Sequence, residues 1–299
     1  MNNQASALHQ ASGPPCSENR LLSRLRCIAI GSGKGGVGKT MVAVGLACSL
    51  AQMKFRTLLM DADLGLANVD LQMGLDPKFT LQDVIFGNRH FQDTVLHTPD
   101  GPDVLAGSTG VAEMADLGRA RQQMFVNDLI AFAGQYDFLI IDVGAGIGHT
   151  VTSFLATAPE VAVVVANEPT SIMDAYSLIK VLSQHSPPPS LSLIVNMVHS
   201  LEEGDLLASR LNSITTRFIG ISAHVAGIVT YDRLVGDAIR AGIPVTRFAE
   251  GSGVTACLRN IARDFAFEMP GRARLKNGRA FFDSLAGMRL PSRKTEEAP

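Results

Sequence analysis

The sequence predicts an α/β fold, a doubly wound and mostly parallel sheet, on three observations. Short runs rich in β-branched residues carry apolar side chains at consecutive positions. Longer stretches with helical spacing separate these runs. A glycine-rich turn follows the first run and opens the first helix. Consecutive apolar positions mark strands buried on both faces, the condition of a parallel sheet. Alternation of strand and helix then requires right-handed crossovers, with helices covering both sides.

The elements follow in order. Residues 1–24 are polar and broken by Gly13-Pro14-Pro15, which reads as a mobile arm. Strands are expected at 27–30, 57–60, 138–143, 161–165 and 191–198, with a weaker one at 225–229. Helices are expected near 39–53, 118–134, 170–184, 201–217 and 252–268. Pro187-Pro188-Pro189 joins a helix to a strand, because the alternation continues past it. One domain, 25–270, is expected to carry the chemistry, and 271–299 forms a basic segment and tail.

Composition narrows the function. Of 299 residues, 46% are hydrophobic and 18% charged, which excludes a fully disordered chain. The net charge of −2 does not mark a nucleic-acid binder, and none is expected as a specific partner. Cys16, Cys27, Cys48 and Cys257 form no CxxC pair, so no zinc knuckle or disulfide framework is expected, and a reducing compartment is. The N-terminus lacks an apolar signal region, and no apolar stretch approaches the roughly 20 residues of a membrane span. The expected location is therefore cytoplasmic, with membrane contact at most peripheral. The seven histidines show no metal-ligand spacing, and no G-x-S-x-G motif supports a serine hydrolase.

The most informative stretch is Gly31-Ser32-Gly33-Lys34-Gly35-Gly36-Val37-Gly38-Lys39-Thr40. Within it, Gly33-x-x-x-x-Gly38-Lys39-Thr40 fits the phosphate-loop pattern in its strand–loop–helix setting. Glycines let backbone amides converge on phosphate oxygens, and the helix start adds free N–H donors. Lys39 is placed to reach the β- and γ-phosphates, and the Thr40 hydroxyl to ligate Mg²⁺. Gly31-x-Gly33-x-x-Gly36 also matches a dinucleotide fingerprint, but hydride transfer has no need of Lys39-Thr40 here.

Two strand ends carry carboxylates. The run 57–60 ends in Asp61-Ala62-Asp63, and alternation sets both acids on one side. The run beginning at Phe138 reaches Asp142, an acid suited to hold Mg²⁺ through water, and Gly144-Ala145-Gly146 follows. The carboxyl ends of parallel strands face the ligand crevice, so Asp61 and Asp63 are both expected near Mg²⁺ and the γ-phosphate, with Asp61 joining Thr40 and Asp142 as a metal residue. The chemistry expected there is in-line attack of water on a terminal phosphate, driven by positioning and charge neutralisation.

Lys34, a second lysine inside the loop, makes 34–40 resemble the deviant phosphate loop of the MinD/ParA ATPases. In that family the extra lysine crosses a dimer interface, so the resemblance implies ATP with Mg²⁺, an ATP-bound homodimer, slow hydrolysis and an ADP monomer. It also implies a water-orienting role for Asp63. The stretch 61–70 resembles the MinD switch segment rather than that of ParA. Glu168-Pro169-Thr170-Ser171-Ile172-Met173-Asp174-Ala175-Tyr176 and Val195-Asn196-Met197-Val198 resemble flagellar-number regulators of the FlhG/FleN type. That branch implies control of flagellar number or placement. The partners it implies are an FlhF-type GTPase, a flagellar switch-complex protein or a flagellar transcription activator. It would set Asn196 against the adenine base, with Thr230-Tyr231-Asp232 lining the same pocket. The rival readings are a ParA-like ATPase that segregates DNA or positions another polar structure, and an iron–sulfur carrier. The latter lacks cysteines between Cys48 and Cys257.

Both chain ends carry further signals. Residues 3–9 resemble the N-terminal partner-binding element of the branch. Residues 271–294 are strongly basic, and Phe281, Phe282, Leu285 and Met288 share one helical side. The pattern fits an interfacial helix on anionic lipid, as at the end of MinD. It fits equally a final helix packed on its own domain.

Overall fold

In this computed structural model the described residues are 24–63, 68–107, 119–267, 281–282 and 284–285. β1 (Arg26–Gly31) lies at the centre of an eight-stranded sheet. β2 (Thr57–Ala62), β5 (Phe138–Val143), β6 (Glu160–Ala166), β7 (Ser190–Val198) and β8 (His224–Thr230) match the expected runs. Two short strands, β3 (Val95–Leu96) and β4 (Asp103–Leu105), extend one edge. The order is β3-β4-β2-β5-β1-β6-β7-β8, and only the β3–β4 pairing is antiparallel.

Eleven helices accompany the sheet among the described residues. They are α1 (Lys39–Gln52), α2 (Val69–Met73), α3 (Leu81–Ile85), α4 (Phe91–Thr94), α5 (Arg119–Ala133), α6 (His149–Thr157), α7 (Pro169–Ser183), α8 (Leu201–Ile219), α9 (Arg233–Ala241), α10 (Val245–Phe248) and α11 (Gly253–Ala266). The five expected helices are α1, α5, α7, α8 and α11. The six others are four to nine residues long, shorter than the stretch over which helical spacing is read with assurance.

Alternation along β1 divides the core into two layers. Ile28 and Ile30 face α1 and α11, while Cys27 and Ala29 face the layer that holds α5, α6, α7 and α8. β1 stands between β5 and β6, so the chain leaves it in one direction and later returns on the other side. Such a switch point opens a crevice at the carboxyl ends of the strands. The phosphate loop, Asp61 and Asp142 all lie at that edge.

The N-terminal arm falls almost wholly outside the described residues, as do 64–67 of the switch segment and most of 271–299. Four residues of the C-terminal segment, 281–282 and 284–285, are described. Phe281, Phe282 and Leu285 are 0%, 1% and 4% exposed and belong to the layer with Phe91, Phe125 and Phe132. Their apolar side faces the core in this structure. These three side chains are placed as the packed alternative expects.

Candidate functional site

The loop between β1 and α1 is shaped by what lies behind it. Gly38, the residue before α1, has φ 80°, and Gly36 has φ 82°, the left-handed region where a Cβ is disfavoured. Gly33 has another reason to lack a side chain. A Cβ there would lie closer than 3.0 Å to the Asp174 backbone of α7. The loop therefore rests directly on the main chain of α7. Ser32 closes the turn by donating its hydroxyl to the Lys34 carbonyl at 2.9 Å, and Gly146 donates its N–H to the Ser32 carbonyl at 2.8 Å. The second bond ties the loop after β5 to the phosphate loop.

Lys39 opens α1 and is almost wholly buried. Its Nζ lies 2.7 Å from Asp142 Oδ1 and 3.7 Å from Asp63 Oδ2. Burial pushes the Asp142 carboxyl up from the usual carboxylate range, and the Lys39 ammonium opposes that shift. Asp61 lies beside Asp142 in the β2–β5 register. Its carboxylate accepts backbone N–H groups from Asp63 at 3.0 Å, Asn68 at 3.1 Å and Val69 at 3.2 Å. Burial raises Asp61 to about 6, those N–H groups lower it, and the Asp142 charge raises it further. Asp61 thus anchors both ends of the switch segment as well as standing in the acid cluster.

Asp142 Oδ2 is buried with no hydrogen-bond partner, and the Thr40 hydroxyl interacts with the same carboxylate. Among the described residues no group of three His, Cys, Asp or Glu side chains converges on one point. One carboxylate and one hydroxyl, both hard oxygens, suit Mg²⁺ shared with phosphates and water rather than a closed protein cage.

Lys34 takes a position that sequence reasoning did not supply. Its Nζ sits 2.5 Å from Glu168 Oε2 and 3.0 Å from Thr170 Oγ1, at the start of α7. Glu168 precedes Pro169, a helix-start signal that marks the turn but not its partner. Asn196, at the end of β7, is 1% exposed, and its amide donates to the Val37 carbonyl at 2.8 Å. It holds the phosphate loop directly, a contact not foreseen from its position in the sequence. Tyr231 is 63% exposed at the rim, and its backbone N–H bonds the Val198 carbonyl at 2.7 Å. The structure thus brings Lys39, Thr40, Asp61, Asp63 and Asp142 together, joins Asn196 to the loop, and sets Lys34 on α7. Cys27 and Cys48 are buried and free of disulfides, and burial pushes the Cys48 thiol up to about 12, which leaves it inert.

Comparison with known proteins agrees with this geometry. A family model described as an AAA domain matches residues 25–192. The antiactivator FleN of Pseudomonas aeruginosa is 41% identical over 72% of this chain and 77% of its own length. The chain belongs to the MinD-like ATPase family. The flagellum site-determining protein YlxH of Helicobacter pylori, 31% identical over 80% of this chain and 82% of its own, is a further relative. Among solved structures, the Pyrococcus horikoshii MinD complexed with Mg-ADP superposes with a TM-score of 0.66. It is 23% identical, covering 81% of this chain and 96% of that one. The MinD of an Aquifex aeolicus MinC:MinD complex gives 0.67 at 24% identity, covering 84% and 99%. Both share the fold. This MinD-like chain is read as an ATPase on the same terms, and among its described residues no helix is long and apolar enough to cross a membrane.

Proposed function

We infer that this chain is a switch ATPase that regulates flagellar number or placement, cycling between an ATP-bound homodimer and an ADP monomer. The observation that carries the reading is Lys39 held between Asp142 and Asp63 under a loop that bears a second lysine. Similarity to YlxH, named a flagellum site-determining protein, and to FleN, named an antiactivator, supports the flagellar regulatory role.

The residues divide the work. Glycines 33, 35, 36 and 38, with Val37, offer backbone N–H groups to the phosphates. Lys39 turns from Asp142 toward the β- and γ-phosphates and offsets their charge. Lys34 leaves Glu168 to reach the partner subunit's nucleotide. Thr40, Asp61 and Asp142 would hold Mg²⁺, which would supply charge neutralisation. Asp63 accepts a hydrogen bond from the attacking water and aligns it. Asn196 and Tyr231 line the base pocket. The partners we propose are an FlhF-type GTPase, a flagellar switch-complex protein or a flagellar transcription activator. The location is cytoplasmic, with peripheral contact at the inner membrane face once Phe281 and Phe282 leave the core.

Asp63→Ala tests the cycle. The variant should bind ATP normally and elute as a stable dimer on gel filtration with ATP and Mg²⁺. A variant that stays monomeric and still hydrolyses ATP would refute the scheme. Proteins co-purified with the trapped dimer identify the partner, and retention of nonspecific DNA instead would favour the ParA-like alternative.

A further inference from the structure

Two helices that begin at opposite sides of the nucleotide face end against each other. α2 and α9 each finish in a left-handed glycine, Gly74 and Gly242, both with φ 63°. A Cβ on Gly74 would lie closer than 3.0 Å to the Gly242 carbonyl oxygen, a backbone atom that has no rotamer to escape into. A Cβ on Gly242 would meet Gly74 Cα at 3.2 Å, which needs only a small adjustment. The two helix ends touch main chain to main chain.

Their other ends are fixed to the site. Asp61 holds the start of α2 through the N–H groups of Asn68 and Val69, and the same carboxylate holds Asp63. Asp232 caps α9 by accepting the Leu234 N–H at 2.9 Å. The residue before it, Tyr231, is tied to the end of β7. A continuous path of contacts, main chain to main chain at the glycines and through the Asp232 and Asp61 carboxylates at the ends, therefore runs from Tyr231 through α9, Gly242, Gly74 and α2 to Asp61 and Asp63.

We propose that α2 and α9 form a strut that sets the Asp61–Asp63 corner from the Tyr231 side, making Gly74 a positioning residue for turnover. The inference rests on the reading that ATP is the substrate. A strut joined by main chain transmits displacement because the joint contains no side chain that can flex. With the base seated at Tyr231, α9 would fix the end of α2, and Asp63 would take the position that aligns water. Discrimination among bases would then reach the hydrolytic step and not binding alone.

Three alanine variants separate the joint from backbone strain. Gly74→Ala, Gly242→Ala and Gly220→Ala all place a Cβ on a left-handed residue, and Gly220 (φ 77°) has open space around it. We expect Gly74→Ala to lower kcat about tenfold, near 1.4 kcal/mol of barrier, with KM for ATP within about twofold. Gly220→Ala should keep kcat within about twofold, and Gly242→Ala, whose Cβ meets Gly74 Cα at 3.2 Å, should fall between the other two. Equal kcat for Gly74→Ala and Gly220→Ala would overturn the strut, as would a rise in KM at unchanged kcat. Amide exchange on the unaltered protein needs no variant to fold. On adding ATP, exchange should slow in 69–74 and 233–242 together, and slowing in one alone, or in neither, overturns the proposal. Should the unaltered protein neither bind nor hydrolyse ATP, the ATPase reading itself fails, and that result is distinct from a failure of the joint.

Discussion

Phe281→Ala is the perturbation that decides where the C-terminal segment resides. The Phe281 ring is 0% exposed and stacks edge-to-face on Phe282 at 5.1 Å between centroids. A phenylalanine buries roughly 200 Å², so at about 25 cal/mol per Å² its transfer contributes about 5 kcal/mol as an upper bound. Truncation to alanine removes most of that area and leaves a cavity, and measured costs run about 3–5 kcal/mol. Phe218, 66% exposed on α8, is the control. Its truncation should stay within about 0.5 kcal/mol. The assay is urea or thermal unfolding of the nucleotide-free protein. At about 2 °C per kcal/mol for a chain of this size, Phe281→Ala should melt about 6–10 °C lower and Phe218→Ala within about 1 °C. Equal melting of the two variants would mean that residues 281–285 do not belong to the core. Loss of anionic-liposome binding with unchanged melting would instead place the ring against lipid.

The remaining predictions concern the loop and its charges. Gly33→Ala forces the loop off the Asp174 backbone, whereas a Cβ on Gly35 meets nothing within 4 Å in the free protein. Gly33→Ala should therefore lower the melting temperature by several degrees more than Gly35→Ala, and equal melts would count against the contact with α7. Asn196→Ala leaves the buried Val37 carbonyl without its donor, a loss of about 1–3 kcal/mol. ATP affinity by titration should fall about tenfold or more, and an unchanged affinity would show that the amide does not support the loop. Lys39→Ala strands a buried Asp142 and should destabilise the free protein by about 3 kcal/mol. Lys34→Ala breaks a half-exposed pair and should cost no more than about 1 kcal/mol. A chemical-denaturation comparison showing the two equal would refute the assigned burial.

The six longer parallel strands were legible because burial on both faces forces apolar residues into consecutive positions, and 138–143 is such a run. β3 and β4, of two and three residues, carry no period, and Pro99, Gly101 and Pro102 around them read as loop. The same shortness hid α2 and α9, and with them the contact between Gly74 and Gly242. Phe281 and Phe282 were visible as an apolar side, yet a helix facing lipid and one facing a core share that pattern. Lys39, Thr40, Asp61 and Asp142 could be read because motif and strand ends place them locally. The Lys34–Glu168 contact could not, since 134 positions separate the partners and only the packing of the loop on α7 joins them. Asp61 was legible as an acid at a strand end, but not as an acceptor of three backbone N–H groups, because that depends on the path of the chain to Asn68 and Val69.

The two lysines stand in different electrostatic settings, and that difference fits the two roles proposed for the loop, binding and switching. Lys39 and Asp142 have side chains only 7% and 1% exposed, so their attraction is barely screened and neither can be left alone without a large desolvation penalty. Under the proposed ATP cycle, phosphate would take the Lys39 ammonium and Asp142 would be freed to help hold Mg²⁺, so that each buried charge would keep a counter-charge. Lys34 and Glu168 are 33% and 58% exposed, so solvent and salt screen them and separation is cheap. Under that proposal Lys34 would leave α7 when a second subunit presents phosphate, and would return when that phosphate goes. Tight retention belongs to the buried lysine and reversibility to the exposed one, because burial sets the strength of each ion pair. The placement of Gly33 against α7 is what keeps Lys34 within reach of its resting partner.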